Sequence, residues 1–304
     1  MTTYSKTRSA LARHKLAPSK RFGQNFLVHR HTAEAIVRSG EILPQDIIVE
    51  VGVGLAALTL PLARKARHVY GVEIDSGIIR FHEQEKDLPE NVTLLHQDIL
   101  KTDFHELEQR CGGKLKIMAN LPYSISNPFI FKLIENRNHV EKATVMLQKE
   151  VADRLLAGPG SKDYGIPSIL LQHCARIRKL MTLGPAEFHP QPKVDSVVIQ
   201  IAFSAERGGL SSLSSDEYAL FVQIVRATFS QRRKTILNTL TAMHLFPGLE
   251  DRNEVKVLTE QAITAVGLSP RLRPEAMGIQ AFEDLSRSFQ RLRLASARTG
   301  RDEG

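Results

Sequence analysis

The feature that most constrains the fold of this chain is a series of short apolar runs that alternate with amphipathic segments between residues 46 and 203. The first runs are IIVEV, HVYGVEI, VTLLHQ, LKIMAN and ATVMLQ. Strand-length runs separated by amphipathic segments are typical of a parallel sheet with crossover helices on both faces. The last two runs, ARIRKLMTL and DSVVIQIAF, have no helical pattern between them. We therefore predict an α/β fold whose sheet ends in an antiparallel pair at one edge.

The chain changes character after residue 203. The segment SAERGGLSSLSSDE is rich in serine and glycine and is typical of a linker. Helical patterns without strand candidates follow it: YALFVQIVRATF, RRKTILNTLTAM, EVKVLTEQAITAVG and QAFEDLSRSFQRL. We expect a basic N-terminal arm at residues 1–28, an α/β domain at 29–204, a linker at 205–217 and a helical domain with a basic tail at 218–304.

The charge balance favours a polyanionic partner. Among 304 residues, 41 Lys and Arg face 33 Asp and Glu, which gives a formal net charge of +8. No acidic residue precedes Glu34, so the basic N-terminal segment is predicted to contact phosphates. A solvated tail and a mitochondrial transit peptide are the alternative interpretations of the same composition.

Other classes of protein are disfavoured by what the sequence lacks. It has no apolar run long enough to span a membrane and no signal-peptide core. Cys111 and Cys174 lie far apart without CxxC spacing, which argues against a disulfide framework and a thiolate zinc site. We expect a soluble, cytoplasmic protein without a membrane partner or a metal, and we also expect a monomer.

A glycine loop follows the first predicted strand. In EVGVGLAALTLPLA the strand ends at Glu50, the chain turns on Gly52 and Gly54, and a helix is expected to begin near Leu55. Glycine permits positive φ and a close backbone approach to a ligand at a helix N-terminus. The spacing also matches the dinucleotide fingerprint G-x-G-x-x-A, with Glu73 after the next strand as a ribose clamp, so an NAD-dependent dehydrogenase is an alternative.

Two further acids favour a different ligand. Glu50 stands directly before the glycines, and Asp98 follows the third strand, where its carboxylate can accept a hydrogen bond from an adenine amino group. A ligand with a ribose, an adenine and an amino-acid part would use Glu50, Glu73 and Asp98 together. S-adenosylmethionine is such a ligand, whereas surface acids or helix caps are the alternative roles for these side chains.

The segment NLPYSISNPF ends the predicted strand LKIMAN in an asparagine and follows it with a proline. The exocyclic nitrogen of adenine is a weak nucleophile, and two acceptors placed against its N–H bonds would direct its lone pair outward. The side-chain oxygen of Asn120 and a backbone carbonyl of Leu121 or Pro122 can supply these acceptors, and Tyr123 can stack on the purine. The alternative is that Asn120 only caps the helix near Ser126.

These motifs resemble those of the ribosomal RNA adenine dimethyltransferases of the KsgA small-subunit type. GQNFL, EVGVG, VEID, QDIL, NLPYSIS and FHPQPKVDSVV occur in the family's order, and FSQRRKTILNTL and RPE extend the resemblance through the helical region. The resemblance implies a Rossmann-like class I methyltransferase sheet with a helical RNA-binding domain and S-adenosylmethionine as cofactor. It also implies N6-dimethylation of two adjacent adenosines near the 3′ end of 16S small-subunit rRNA within a pre-ribosomal particle.

The resemblance adds further site residues. Asn25 and Leu27 of the QNFL motif join Gly52, Gly54, Glu73, Asp98 and Asn120 as cofactor-binding residues, and Phe188 becomes the second platform for a flipped adenine. The chain departs from the family's glycine loop at Val53, which replaces a proline, and at Ala56, which replaces a third glycine. Alanine tolerates helical geometry, so we expect the loop to close.

The sequence also has a cluster of basic residues in its helical region, and it leaves two rival functions open. Arg226, Arg232, Arg233 and Lys234 are predicted to lie on helices and to contact RNA phosphates, with a solvated helix face as the alternative. A large-subunit rRNA methyltransferase of the erythromycin-resistance type shares the same core motifs. A ribosome-assembly factor that acts mainly by binding is the alternative from a different class.

Overall fold

The computed structural model describes residues 25–203, 213–243, 245–246 and 248–299. Most of the expected N-terminal arm, most of the linker and the last residues of the basic tail therefore lie outside the described residues. Packing divides the rest into two compact units. The first combines the described part of residues 1–153 with 175–203, and the second combines 154–174 with the described part of 213–299.

The first unit contains a seven-stranded sheet. Its strands are β2 (Ile47–Val51), β3 (His68–Glu73), β4 (Val92–His96), β5 (Leu115–Asn120), β6 (Val140–Gln148), β7 (Arg176–Leu183) and β9 (Ser196–Ala202), and their spatial order is β4-β3-β2-β5-β6-β9-β7. The pairs from β4 to β6 are parallel, while β9 pairs antiparallel with both β6 and β7. The predicted, mostly parallel sheet and its antiparallel edge are confirmed.

One helix, α1 (Arg30–Ser39), precedes β2, and a helix follows each of the parallel strands. These helices are α2 (Thr59–Ala63), α3 (Ser76–Glu85), α4 (Phe104–Cys111), α5 (Ser126–Glu135) and the start of α6 (Lys149–Leu156). Parallel strands joined by helices have all their carboxyl ends at one edge of the sheet, where open α/β sheets bind ligands. The turns after β2, β3, β4 and β5 therefore meet at a single edge.

A small second sheet joins two distant parts of this unit. The strands β1 (Phe26–Leu27) and β8 (Phe188–His189) pair antiparallel, with Leu27 opposite Phe188. The carboxylate of Glu187 accepts hydrogen bonds from the Thr32 hydroxyl at 2.7 Å and from His29 Nδ1 at 2.9 Å. The QNFL and FHPQPKVDS motifs, which are more than 150 residues apart in sequence, are thus neighbours in space.

The described residues of the second unit form helices joined by turns and contain no strand. It contains α7 (Ile166–Cys174), α8 (Ser215–Ser230), α9 (Ile236–Thr241), α10 (Arg252–Thr264) and α11 (Ile279–Thr299). The expected boundary at residue 204 stays a prediction, and the packing differs from it because residues 154–174 group with the C-terminal helices. Tyr164 is fully buried there, and its hydroxyl donates to the Met277 carbonyl at 3.0 Å.

The prediction that a helix carries Arg232, Arg233 and Lys234 is wrong. α8 ends at Ser230 and α9 begins at Ile236, with Thr235 as its N-cap, so the three basic residues lie in the turn between these helices.

Among the helices that the structure describes, none combines the length and the apolar character that a bilayer span needs.

Candidate active site

A cavity lies at the carboxyl ends of β2, β3 and β5, beside the turn that follows β4. The sequence-predicted cofactor residues all line it, together with apolar residues that the sequence did not single out. The predicted members are Asn25, Leu27, Gly52, Gly54, Glu73, Asp98 and Asn120. The sheet topology therefore brings all of these side chains and glycines to one place.

The glycine loop has the backbone that its sequence predicts. Gly52 and Gly54 have φ values of +79° and +53°, in the region that favours glycine. A Cβ atom on Gly54 would lie 3.2 Å from two carbon atoms of the Phe26 ring, so the close packing of β1 on the loop also requires glycine here. Phe26 was not singled out from the sequence.

The expectation that Ala56 adopts helical geometry is wrong. Ala56 has a φ of +59°, so it occupies the left-handed region, and α2 begins at Thr59 rather than near Leu55. The loop still closes, because the Ala56 amide donates to the Val53 carbonyl at 3.0 Å. An alanine in this conformation costs about 1–2 kcal/mol relative to a right-handed one, which explains why a glycine is favoured at this position.

A histidine that sequence reasoning missed holds the glycine loop from behind. The His82 side chain is fully buried on α3, with Nε2 2.8 Å from the Gly54 carbonyl and Nδ1 2.7 Å from Asp87 Oδ1. Each ring nitrogen of His82 thus faces an oxygen atom that can only accept a hydrogen bond. His82 therefore ties the ligand-facing loop to the end of α3. No sequence motif indicates this role, because the contact joins His82 to a carbonyl 28 residues earlier in the chain.

Glu73 and Asp98 are positioned by backbone amides. Glu73 Oε1 accepts from the amides of Ile74 and Asp75 at 2.9 Å, and its Oε2 accepts from Gly54 at 3.2 Å. Burial raises the pKa of Glu73, while these hydrogen bonds oppose the shift. Asp98 Oδ1 accepts from the Leu100 amide at 2.9 Å. Because a carboxylate oxygen can accept two hydrogen bonds, Glu73 Oε2 and the second oxygen of Asp98 keep acceptor capacity for a ligand.

Glu50 is a buried carboxyl group in the cavity wall. The residue is 1% exposed, and neither side-chain oxygen has a hydrogen bond of normal geometry among the described residues, although Thr59 lies close enough to oppose the rise in the pKa of Glu50. Burial raises the pKa of Glu50 to about 8, and the charge of nearby Glu73 acts in the same direction. An unpaired buried carboxyl group is costly, so the arrangement favours a ligand that brings positive charge or hydrogen-bond donors.

Asn120 lies at the end of β5 and does not cap a helix. The N-cap of α5 is Ile125, and no side chain caps that helix or the short 3₁₀ helix Tyr123–Ile125 before it. Instead, Asn120 Nδ2 donates to the backbone carbonyl of Asn25 at 3.0 Å. A carbonyl oxygen can only accept, so this bond fixes which end of the amide is the donor. The acceptor Oδ1 is thereby directed away from Asn25.

The structure distinguishes the two backbone carbonyls after Asn120. The Pro122 carbonyl already accepts from the Ile125 amide at 3.1 Å and from the Ser126 hydroxyl at 3.3 Å. It is therefore committed to the 3₁₀ turn. The Leu121 carbonyl is the remaining candidate for the second acceptor, and Leu121 also lines the cavity.

The two predicted stacking residues are placed differently from each other. Tyr123 is half-buried just after the cavity wall, and its hydroxyl lies 3.2 Å from the Ser196 hydroxyl of β9. Phe188 is 1% exposed and packs in the apolar core with Leu27 and Val198. Neither ring lines the cavity: Tyr123 lies between Pro122 and Ser124, which do line it, whereas the pairing of β8 with β1 holds Phe188 in the core. Its role as a second platform stays a prediction.

The predicted RNA-contacting residues belong to the second unit. Arg226, Arg233 and Lys234 are exposed there. Arg232 is also exposed, but its guanidinium donates to the carbonyls of Tyr164 at 2.8 Å and Lys162 at 3.1 Å. It also lies over the Phe229 ring, 5.6 Å from the ring centroid. Arg232 therefore has a structural role that its neighbours in sequence do not share.

Apolar side chains complete the cavity and were not predicted individually. Ile74 directly follows Glu73 and is 44% exposed, which is unusual for a large aliphatic residue at a strand end. Ile99 follows Asp98 in the same way and is buried. Their sequence signal is the pattern itself, in which an isoleucine comes after each acid. Apolar walls with a few converging polar groups are typical of small-molecule sites.

Solved structures of similar fold define the class of protein. The chain aligns with a dimethyladenosine transferase from Plasmodium falciparum with a TM-score of 0.71 and 25% identity, over 88% of this chain and 98% of that one. It also aligns with the 23S rRNA methyltransferase ErmE with a TM-score of 0.63 and 21% identity, which is evidence of shared fold alone. The protein has the class I methyltransferase fold.

Sequence comparison then gives the family. The model of the ribosomal RNA adenine dimethylase family matches residues 16–265. A ribosomal RNA small subunit methyltransferase A from Desulfotalea psychrophila is 58% identical over 95% of this chain and 97% of its own length. A protein of the same name from Geobacillus thermodenitrificans is 37% identical over 96% of this chain and 98% of its own length. The chain belongs to the ribosomal RNA adenine dimethylase family.

Proposed function

We propose that this enzyme transfers methyl groups from S-adenosylmethionine to N6 of two adjacent adenosines near the 3′ end of small-subunit rRNA, giving N6,N6-dimethyladenosine. The observation that carries the proposal is the position of Asn120. Its amide is fixed by the Asn25 carbonyl in the cavity that also contains Glu73 and Asp98. One cavity thus combines acceptors for an amine with the acids expected to hold an adenosyl group.

The residues of the cavity fit S-adenosylmethionine. Gly52 and Gly54 have the positive φ values of a glycine loop that a ligand can approach closely, and Glu50 is a buried carboxyl group whose oxygens have no hydrogen bond of normal geometry among the described residues. When bound, S-adenosylmethionine supplies a methyl group on a positively charged sulfonium. Glu73 would accept from ribose hydroxyls, Asp98 from the adenine amino group, and Glu50 would interact with the ligand's positive charge.

The chemistry at the target amine depends on alignment more than on a strong base. Asn120 Oδ1 and the Leu121 carbonyl would accept from the two N–H bonds of the adenine amine, which directs the nitrogen lone pair outward. Because these acceptors belong to the end of a buried strand, they need no rearrangement during the reaction. Tyr123 would stack on the base after it leaves the RNA helix.

The same acceptors explain how one site can modify an amine twice. Loss of one proton to solvent follows the first transfer, and the amine then keeps one N–H bond, which either acceptor can bind. The methyl group then occupies the position of the other hydrogen, and the acceptor on that side makes no hydrogen bond. We therefore propose that the second transfer relies on alignment by a single acceptor together with stacking.

The RNA partner fits the distribution of charge. The formal net charge of +8 and the exposed Arg226, Arg233 and Lys234 favour binding to a phosphate backbone. We propose that the substrate is a pre-ribosomal small subunit and that the enzyme acts as a cytoplasmic monomer. The relatives named for the small subunit match nearly the whole chain, whereas the likeness to the 23S enzyme is one of fold. This favours the small-subunit substrate over the large-subunit one.

Labelled-methyl transfer tests the proposal. The purified protein is incubated with labelled S-adenosylmethionine and small subunits that lack the modification, with large subunits in a parallel reaction and Asn120→Ala as the inactive control. The proposal predicts labelled N6,N6-dimethyladenosine from the small subunit alone. Label in a different nucleoside, or transfer to the large subunit instead, would contradict it. Tight subunit binding without any transfer would support an assembly factor.

A further inference from the structure

We propose that the first unit contains a binding site for a divalent transition-metal ion, of which Zn²⁺ is the best fit, formed by His105, Glu108 and His139. One ligand atom from each of these side chains lies within 4.8 Å of the others, and this is the sole such group among the residues that the structure describes. Two imidazoles and one carboxylate form a ligand set that zinc favours, with a water completing the coordination.

The backbone places the three side chains on two neighbouring elements. His105 and Glu108 are three residues apart on α4, so they lie on one face of that helix. His139 ends the short 3₁₀ helix Arg137–His139, directly before β6. Because His139 directly precedes β6, the cluster lies beside the amino-terminal end of that strand. None of the three residues lines the candidate active-site cavity, so the two sites are separate.

The existing contacts partly prepare the site for a metal. His139 Nδ1 lies 2.6 Å from Glu108 Oε2, so two of the ligands already meet. The Gln109 amide nitrogen lies 3.0 Å from His105 Nε2. The Gln109 side chain thus occupies the ring nitrogen of His105 that would face the metal, and a bound ion would replace it there. Gln109 is exposed and can rotate away from this nitrogen.

The distances require only a small adjustment. Zn–N bonds of about 2.0–2.1 Å in a tetrahedral site place neighbouring ligand atoms about 3.3 Å apart. The contact between Glu108 and His139 would widen slightly, and His105 would move inward by one to two ångströms at most, which rotation of an exposed side chain allows. The bound ion would join α4 to the segment before β6 and stabilise this end of the sheet.

The nearby thiol is a poor competitor for the metal. Cys111 ends α4, and burial raises the pKa of its thiol to about 11. The thiol is therefore protonated at neutral pH, whereas a metal binds the thiolate. A cobalt complex of this site should accordingly lack a thiolate charge-transfer band.

Zinc titration of the full chain, stripped with chelator beforehand, tests the proposal. We expect one Zn²⁺ to bind by calorimetry and to raise the unfolding temperature, with affinity about tenfold or more weaker in His105→Ala and His139→Ala. His31→Ala is the matched control. The ring centroids of His29 and His31 are 5.4 Å apart, as are those of His105 and His139, but His29 and His31 belong to no such ligand group. It should bind zinc as the wild type does.

Circular dichroism of the metal-free variants establishes that they are folded, and Glu108→Gln gives a shape-conserving variant that should also weaken binding. Cobalt absorption reports the coordination directly in the wild-type chain. Unchanged zinc affinity and stoichiometry in the combined His105→Ala and His139→Ala variant would overturn the proposal, as would no binding by the wild type. Methyl transfer should be the same in these variants as in the wild type, so the result is independent of the proposed function.

Discussion

Asn120 Nδ2 donates a 3.0 Å hydrogen bond to the backbone carbonyl of Asn25, which joins the end of β5 to the residue before β1. The N-terminal QNFL motif therefore acts on the site in two ways. Its residues line part of the cavity, and the Asn25 carbonyl determines the orientation of the Asn120 amide, which is proposed to bind the target amine. The partner is a backbone carbonyl, so the position of the chain at residue 25 matters for this bond more than the Asn25 side chain.

His82 is expected to stabilise the glycine loop. His82→Ala removes the buried contacts to Gly54 and Asp87 and leaves a carbonyl oxygen without its donor. We predict a loss of about 1–3 kcal/mol in the free energy of unfolding and weaker binding of S-adenosylmethionine. His68→Ala is the control, since His68 makes an exposed contact to Thr93 and its loss should cost at most about 0.5 kcal/mol. Equal stability of the two variants in denaturant titrations would refute the role of His82.

Glu50 should make the stability of the ligand-free protein depend on pH. Its pKa is raised from 4.5 to about 8 in the folded chain, so the folded state holds this proton more tightly than the unfolded state does. The stability that this proton contributes is fully present below pH 4.5, and it is lost as the pH rises from 4.5 towards about 8. Glu50→Gln mimics the protonated form.

We therefore predict that the free energy of unfolding falls more steeply with rising pH in the wild type than in Glu50→Gln. Buried Glu73 remains in both proteins, so the difference between the two curves reports Glu50 together with its electrostatic interaction with Glu73. Glu50→Gln should also weaken S-adenosylmethionine binding. Parallel stability curves would show that Glu50 is ionised in the folded state at neutral pH.

Tyr123 provides a test of base stacking that separates the ring from its hydroxyl. Tyr123→Ala should weaken capture of the target base by about 1–3 kcal/mol and leave S-adenosylmethionine affinity unchanged. Tyr123→Phe keeps the ring and loses only the contact to Ser196, which is worth about 0.5–1.5 kcal/mol. The measurement is kcat/KM for the small subunit. If the two variants are equally impaired, the hydroxyl rather than the ring is the important group.

The basic turn between α8 and α9 should divide into RNA-binding and structural residues. Substituting Arg233→Gln and Lys234→Gln together should weaken subunit binding and reduce its salt dependence, with a slope change somewhat below one per lost phosphate contact. Arg232→Gln should instead lower stability by about 1–3 kcal/mol, because it removes the donor for the Lys162 and Tyr164 carbonyls.

Lys256→Gln serves as the control for this turn, since Lys256 is an exposed lysine on α10 of the same unit. It should leave both binding and stability unchanged. A salt dependence in the Arg233 and Lys234 variant that equals that of the wild type would assign these side chains to a solvated surface.

The sequence predicted the sheet well, because its strands are continuous apolar runs whose ends are marked by glycine, acid or asparagine. LKIMAN, for example, is β5 to the residue. The same marks identified Glu73, Asp98 and Asn120, since parallel strands bring their carboxyl ends together without further information. Local pattern and topology were sufficient for these residues.

The parts that could not be predicted depend on distant contacts. The pairing of Leu27 with Phe188 joins segments about 160 residues apart and buries a ring that the sequence suggested for stacking. The left-handed conformation of Ala56 is imposed by the loop against the general preference of alanine. The use of Arg232 as a donor to two carbonyls likewise depends on a loop that the sequence assigned to the other domain.

Asn120→Ala tests the central claim most directly. The substitution removes the amide that the Asn25 carbonyl orients, while it leaves Leu121 and the rest of the cavity in place. Asn120→Asp is the matched variant, because it keeps an acceptor oxygen but loses the donor to Asn25. If the orientation of the amide matters, both variants should be impaired, whereas Asn120→Asp should remain active if any acceptor suffices.

The measurement is single-turnover methyl transfer to unmodified small subunits at saturating S-adenosylmethionine, so that weaker cofactor binding is not mistaken for slower chemistry. For Asn120→Ala we predict a rate about two or more orders of magnitude below that of the wild type, with a retained fold and nearly normal subunit binding. A rate close to that of the wild type under these conditions would contradict the proposal that Asn120 orients the target amine.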